Sequence, residues 1–105
     1  MTLPSKELLS AVLGCEITYC HEINGELRYG IYTPIGTDER TINIYELMHL
    51  MKEWALKQGY LLYSVPTMCL IKTLSLEYIK EFSDVDTEFE SVTKACEWIK
   101  ENNEE

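Results

Sequence analysis

Cys20 and His21 are an adjacent thiol and imidazole, the residue types of a cysteine nucleophile and its base. They lie in a segment of alternating polar and apolar residues that predicts a β-strand, so their side chains should point to opposite faces. The second histidine, His49, falls on the polar side of a predicted helix and is expected at the surface. The chain also lacks a Gly-rich phosphate loop, G-x-S-x-G and H-E-x-x-H. The sequence therefore predicts no catalytic residue and a protein that is not an enzyme.

Two groups of residues have types that could bind a metal. Asp84, Asp86, Glu88 and Glu90 alternate as calcium ligands do, but the glycine that turns such a loop is missing. Thr87 and Glu90 fit better as a helix-capping box. The four cysteines (Cys15, Cys20, Cys69, Cys96) contain no C-x-x-C pair and no zinc-finger spacing, and they are expected to be free thiols. We therefore expect no metal and no cofactor.

The charge is strongly negative and unevenly distributed. The 105 residues carry a net charge of −9, and Asp84 to Glu105 holds eight acids against Lys94 and Lys100. Such a molecule repels phosphate backbones and anionic lipid, which argues against direct binding to nucleic acid or to a membrane. No apolar run is long enough for a membrane span, and the first residues do not form a secretion signal, so a cytoplasmic location is expected. The length predicts a single domain over residues 1–105.

Two amphipathic helices are the strongest structural signals. Thr41 to Gly59 has a capping box at Asn43 and Glu46 and a glycine stop. A second capping box at Thr87 predicts a helix that continues to about Asn102. The predicted core faces are Ile44, Leu47, Met48, Met51, Trp54 and Ala55 in the first helix, and Phe89, Val92, Ala95, Cys96 and Ile99 in the second. A shorter helix is predicted over Leu3 to Gly14.

Glu16 to Thr33 predicts a hairpin that turns at Asn24-Gly25. A two-residue turn would pair Ile17 with Tyr32 and put the apolar residues of the two strands on opposite faces. A three-residue loop with Gly25 in the left-handed conformation instead pairs Ile17 with Ile31 and Tyr19 with Tyr29. We therefore predict the three-residue loop, which places His21 opposite Leu27 on the apolar face.

The remaining segments complete an α+β fold. Pro34 to Arg40 is predicted as a polar loop and Thr41-Ile42 as a short strand. Tyr60–Val65 and Met68–Thr73 are apolar on both sides and are predicted as central strands. A strand over Tyr78–Ser83 follows, with a helix over Leu76–Phe82 as the alternative. The expected architecture is one antiparallel sheet of five or six strands with helices packed on it, in the order α-β-β-(β)-α-β-β-(β)-α. A shift of 44 residues places Asn43 on Thr87 and Trp54 on Trp98, which suggests a pseudo-repeat of residues 16–58 and 60–102.

Three segments of the chain resemble a group of small bacterial proteins. They are L-P-S-K-E-L-L-S, I-N-I-Y-E-L-M-H-L-M-K-E-W-A and D-T-E-F-E-S-V-T-K-A-C-E-W-I. Together they are similar to uncharacterised proteins of bacterial genomes and their mobile elements. The resemblance lies in helix caps and core positions and includes no catalytic motif. It implies a compact accessory protein of bacterial or phage type.

Aromatic residues provide the main functional signal. Seven tyrosines and two tryptophans exceed what one small core buries, so Tyr32, Tyr45 and Tyr78 are expected at the surface. Because aromatic residues are enriched at interfaces, we predict a non-enzymatic interaction protein that forms a homodimer. Exposed tyrosines without any role and a small-ligand-binding domain are alternatives.

An acidic inhibitor of another protein is the second hypothesis. It would present carboxylates to a basic, nucleic-acid-binding site on a defence or host protein. The acids assigned to that role are Asp84, Asp86, Glu97 and Glu101. The helix side that carries Glu97 and Glu101 is expected to face water.

Overall fold

The computed structural model describes residues 3–103 and has an α+β fold, as predicted. The helices are α1 (Lys6–Leu13), α2 (Ile44–Lys57) and α3 (Glu88–Asn102). The strands are β1 (Ile17–Ile23), β2 (Glu26–Thr33), β3 (Gly36–Asn43), β4 (Tyr60–Val65), β5 (Met68–Thr73) and β6 (Tyr78–Phe82). The smallest extent of the Cα trace is 18 Å, which fits one layer of strands covered by one layer of helices.

The six strands form two sheets, so the prediction of one sheet of five or six strands is wrong. One antiparallel sheet has the order β1-β2-β3, and the other has the order β4-β5-β6. Of the two strands predicted at the centre, β5 is central and β4 lies at an edge. The hydrophobic pattern identifies strands and their buried faces, but it does not say which strands pair across the chain.

The predicted loop over Pro34 to Arg40 is also wrong, because β3 begins at Gly36. Of its eight residues only Ile42 is partly buried, and the others are exposed. β3 pairs with β2 over its whole length, from Thr33 opposite Gly36 to Glu26 opposite Asn43. The strand is therefore held by backbone hydrogen bonds to β2. The side chains of β3 do not alternate between apolar and polar, so the sequence pattern gives no signal for this strand.

The first hairpin has a two-residue turn, which corrects the predicted three-residue loop. Ile23 pairs with Glu26, and both Asn24 (φ 51°) and Gly25 (φ 80°) have positive φ, as a type I′ turn requires. The register then shifts between Ile17 and Tyr19, so that Ile17 still lies opposite Ile31. A bulge at Thr18 thus aligns the apolar residues that a regular two-residue hairpin would have separated.

The bulge changes which side chains of β1 face the core. Tyr19 lies opposite Gly30 instead of Tyr29, and His21 lies opposite Arg28 instead of Leu27. Both side chains are exposed, and their rings stack with centroids 6.1 Å apart. The prediction that His21 lies on the apolar face is therefore wrong. Cys20 takes that place beside the buried Tyr29.

Gly25 provides a direct test of the turn. Replacing Gly25 with alanine should cost about 1 kcal/mol and replacing it with valine more, because a β-carbon is strained at this positive φ. For a chain of this size, 1 kcal/mol corresponds to a fall in the melting midpoint of about 4–8 °C. Asn24→Gly is the matched control and should leave the midpoint almost unchanged, since both residues tolerate the left-handed region. An unaltered midpoint for Gly25→Val would contradict the type I′ turn.

The helices follow the prediction closely. Asn43 caps α2 through a hydrogen bond that its Oδ1 accepts from Tyr45 N, and Thr87 caps α3 through one that its Oγ1 accepts from Glu90 N. Every residue of the two predicted core faces is buried except Trp54, which is partly buried. The core faces of α2 and α3 are confirmed.

Helices α2 and α3 run side by side in the same direction. Cys96 Sγ donates to the carbonyl oxygen of Met51 at 3.7 Å, and Asn103 Nδ2 donates to Gln58 Oε1 at 3.4 Å. Each contact joins positions 45 residues apart, close to the spacing of the two N-caps. Each half of the chain has three strands followed by a helix, and all three helices and both sheets contribute side chains to one buried cluster.

Candidate functional site

The sheet of β4, β5 and β6 has one apolar face that none of the helices in residues 3–103 covers. Cys69 and Ile71 point to the helices and are fully buried, so the residues between them point outward. Tyr63 lies opposite Leu70, and Val65 lies opposite Met68. Tyr63, Val65 and Tyr78 are exposed by 48%, 47% and 62%. We call this surface the β4–β6 outer face and define it by Leu61, Tyr63, Val65, Met68, Leu70 and Tyr78.

The β4–β6 outer face is neutral within an acidic molecule. Residues 60–83 contain two lysines and two glutamates, while the whole chain has a net charge of −9. Lys72 and Glu81 lie on this face, and Lys72 Nζ is 4.9 Å from the centroid of the Tyr63 ring. The apolar surface is therefore the part of the molecule that another acidic molecule approaches with least repulsion.

The loop between β5 and β6 adds two exposed leucines at one end of these two strands. Leu74 and Leu76 are both more than half exposed. Leu76 has a φ of 67°, in the left-handed region that glycine adopts without steric cost. A leucine in this conformation is strained, and because 59% of it is exposed, burial within the monomer offsets little of that strain.

The outer face of the β1–β3 sheet is polar by comparison. The Tyr19 hydroxyl donates to Glu39 Oε2 at 2.5 Å, and this hydrogen bond raises the pKa of Tyr19. A β-carbon at Gly30 would lie 2.5 Å from Thr18 Oγ1 and would overlap the Tyr19 ring, which explains the glycine at this position. His21, Arg28 and Tyr32 share the face. On the outer face of the β1–β3 sheet the side chains are thus mainly charged or hydrogen-bonded, whereas those on the β4–β6 outer face are mainly apolar.

A groove of about 360 Å³ lies where four segments of the chain meet. Its lining comes from the tips of the hairpins β1–β2 and β4–β5 and from the first turns of α2 and α3. The lining residues are Gly25, Ile44, Tyr45, Met48, Pro66, Asp86, Thr87, Glu88 and Phe89. Ile44, Met48 and Phe89 are buried, whereas Tyr45 is 76% exposed. The groove therefore combines an apolar base with an aromatic side chain and carboxylates at its rim.

The three tyrosines singled out from the sequence are exposed, but they lie on different surfaces. Tyr32 is on the outer face of the β1–β3 sheet, Tyr78 is on the β4–β6 outer face, and Tyr45 is at the groove. The structure brings Tyr45 together with Asp86 and leaves Asp84 exposed in the turn before α3.

Glu97 is partly buried, which corrects the prediction that its side of α3 faces water. Its carboxylate accepts hydrogen bonds from the backbone N–H of Ser5 at 2.8 Å and from the Ser5 hydroxyl at 2.9 Å. Ser5 is the N-cap of α1, so Glu97 joins α3 to the start of the first helix. Glu101 is exposed, and Glu104 and Glu105 lie outside the described residues.

Two more acids at the start of α3 form ion pairs within the fold. The Glu88 carboxylate accepts a hydrogen bond from Ser64 Oγ at 2.5 Å and lies 3.6 Å from Lys52 Nζ. Glu90 lies 3.5 Å from Lys94 Nζ. Between residues 3 and 103, no three His, Cys, Asp or Glu side chains are grouped so that they could hold a metal ion.

The cysteines are free thiols, and two of them are deeply buried. Burial raises the pKa of the Cys69 thiol to about 12 and also raises the pKa of Cys96 strongly. Both thiols are therefore protonated near neutral pH and are poor nucleophiles.

The apolar residues of the β4–β6 outer face were missed in the sequence because β4 and β5 are apolar on both sides. That pattern is typical of strands covered on both faces, and it led to the prediction that both strands lie at the centre of the sheet. The groove was missed because its lining comes from segments that are distant along the chain. A signal for the outer face was nevertheless present, since three helices are too few to cover both faces of six strands.

Comparison of the chain with protein-family models, with curated proteins and with solved structures finds no match. Among the described helices, none is both long and apolar enough to cross a membrane.

Proposed function

We propose that the protein is a non-enzymatic interaction protein that forms a homodimer through the β4–β6 outer face. The observation that carries this proposal is the row of exposed and half-exposed apolar side chains on a sheet whose central strand buries Cys69 and Ile71 completely on its opposite face. Transfer of such a surface out of water is favourable in proportion to its apolar area. An uncovered apolar patch on a small protein is typical of an interaction site.

The charge distribution favours a second copy of the chain as the occupant. Two molecules with a charge of −9 repel each other least where the facing surfaces are neutral, and the β4–β6 outer face is such a region. Its own charges, Lys72 and Glu81, have opposite signs, so a twofold axis through the face can place each one near its complement in the other copy. The strained, exposed Leu76 would gain burial in the same contact.

The size of the face predicts a weak dimer. Two strands of six residues and one of five, about 4.8 Å apart, cover roughly 20 by 14 Å. This is smaller than the roughly 800 Å² per partner that standard stable interfaces bury, even with the two loop leucines added. We therefore expect dissociation in the micromolar range and a dimer at tens of micromolar.

Sedimentation at low and high salt tests the proposal. The mass should be that of a dimer at tens of micromolar and should change little with salt, because salt barely screens the burial of apolar surface. The double substitution Tyr63→Ser/Val65→Ser should raise the dissociation constant by about tenfold or more. Neither side chain belongs to the buried cluster, so circular dichroism should show an intact fold. A wild-type monomer at these concentrations would refute the homodimer.

Tyr78 and Tyr32 form a matched pair for the same measurement. Both are 62% exposed, but they lie on the outer faces of different sheets. Tyr78→Ser should weaken the dimer and Tyr32→Ser should leave it unchanged. Equal effects of the two substitutions would show that the β4–β6 outer face is not the interface.

The same proposal includes the cytoplasm as the site of action. Four free cysteines in a chain of 105 residues are typical of a reducing compartment. The resemblance to accessory proteins of bacterial or phage type is compatible with this location and remains a prediction.

A further inference from the structure

The groove between the first turns of α2 and α3 has a chemistry that the proposed dimer does not use. Its base is formed by the buried side chains of Ile44, Met48 and Phe89. Tyr45 of α2 and Pro66 at the tip of the β4–β5 hairpin also line it. A volume of about 360 Å³ is too small for a folded element but accommodates one long side chain with its backbone at the rim.

The charges around the groove are negative, and one of them is available. Glu88 is engaged by Ser64 and Lys52, and Glu90 by Lys94. Asp86 lines the groove, is exposed, and makes no ion pair with any residue in the described part of the chain. A cation at the rim would therefore find a carboxylate that the fold leaves unused.

An anion is disfavoured at the same place, although two helices begin there. Helix N-termini attract negative charge through their unpaired N–H groups. Here Asn43 and Thr87 already cap one N–H group each, and the acids at 84, 86, 88 and 90 raise the negative potential at the start of α3. The carboxylates thus outweigh the helix ends and select a positively charged group.

We infer that this groove binds an arginine side chain of a partner polypeptide. The methylene groups of the arginine would pack on Met48 and Phe89, which long cationic side chains do readily on apolar surface. The planar guanidinium would stack on the exposed ring of Tyr45 and form a paired hydrogen bond with the Asp86 carboxylate. Arginine fits better than lysine, because a guanidinium both stacks on an aromatic ring and binds a carboxylate through two N–H groups.

Titration with a short peptide, followed by backbone amide NMR shifts, tests this inference on the full chain. The probe is the tripeptide Leu-Arg-Leu with blocked ends, and its counterpart contains citrulline, which is neutral and nearly the same shape. The arginine peptide should shift the amides of residues 44–48 and 86–89 in a saturable manner. The citrulline peptide should bind at least about tenfold more weakly, as expected for the loss of a charged hydrogen bond.

Substitutions of single acids separate the groove from general charge attraction. Asp86→Asn should weaken the arginine peptide about fivefold to tenfold, and Tyr45→Ala by a similar factor. Glu101→Gln removes the same charge from an exposed site on α3 outside the groove and should change the affinity by less than twofold. Equal binding of both peptides, equal effects of Asp86→Asn and Glu101→Gln, or shifts that do not saturate would each overturn the inference.

Discussion

Met51→Ala is expected to lower the free energy of unfolding by about 2–5 kcal/mol. Met51 is fully buried in the middle of α2, where this helix packs against α3, and its carbonyl oxygen accepts the hydrogen bond from Cys96 Sγ. Truncation to alanine would leave a cavity between the two helices, which run side by side and leave little room for relaxation. Denaturant unfolding of the wild-type protein and of Met51→Ala measures the difference in the free energy of unfolding directly.

Lys57→Ala is the control for this prediction on the same helix. Lys57 lies in the last turn of α2, is exposed, and does not contribute to the buried cluster. Its replacement should alter the free energy of unfolding by less than about 0.5 kcal/mol. If the two substitutions had equal effects, the face of α2 that packs in the core would be assigned incorrectly.

The second large effect is expected from Glu97→Lys, with a loss of about 2–3 kcal/mol. The substitution removes the two hydrogen bonds that the Glu97 carboxylate accepts from the backbone N–H and the hydroxyl of Ser5, and it places a positive charge at the N-terminus of α1. Amide hydrogen exchange should also speed up at Leu8 and Leu9, whose N–H groups donate to Ser5 Oγ and to the Ser5 carbonyl oxygen.

Glu101→Lys tests whether the effect comes from position or from charge. Glu101 lies one turn further along α3 and is exposed, so the same change of two charge units should alter the stability by less than about 0.5 kcal/mol. Glu97→Gln should give an intermediate loss, because an amide oxygen still accepts one hydrogen bond. Similar losses for Glu97→Lys and Glu101→Lys would show that Glu97 does not anchor α1.

The structure also changes how the acidic end of the chain is interpreted. A surface that presents Asp84, Asp86, Glu97 and Glu101 to a basic protein requires all four carboxylates to be accessible. Glu97 instead binds Ser5, and the neighbouring Glu88 and Glu90 pair with lysines of the same molecule. The surface left for the acidic-inhibitor hypothesis is the one around Asp86, which lines the groove together with Tyr45.

The sequence by itself determined the elements whose signals are local. The caps at Asn43 and Thr87 and the 3.6-residue period of apolar residues defined both long helices and their core faces. The turn at Pro66-Thr67 and the flanking apolar runs located β4 and β5 to the residue. Helix caps, helical periodicity and tight turns depend on residues a few positions apart. The local sequence is therefore enough to predict them.

Tertiary structure decided the features that depend on distant residues. The bulge at Thr18 turns the side chains of Tyr19 and His21 to the outer face of the sheet. A two-residue turn with this bulge and a three-residue turn without it both align Ile17 with Ile31, so no local pattern distinguishes them. β3 exists because β2 offers a free edge, and Glu97 is bound because α1 begins beside α3, although Ser5 lies 92 residues away. The division into two sheets follows from pairings across the fold, and within the described part of the chain it leaves the β4–β6 outer face uncovered by a helix. A hydrophobic pattern measures which side chains avoid water, but which surfaces remain exposed is fixed only when the elements pack.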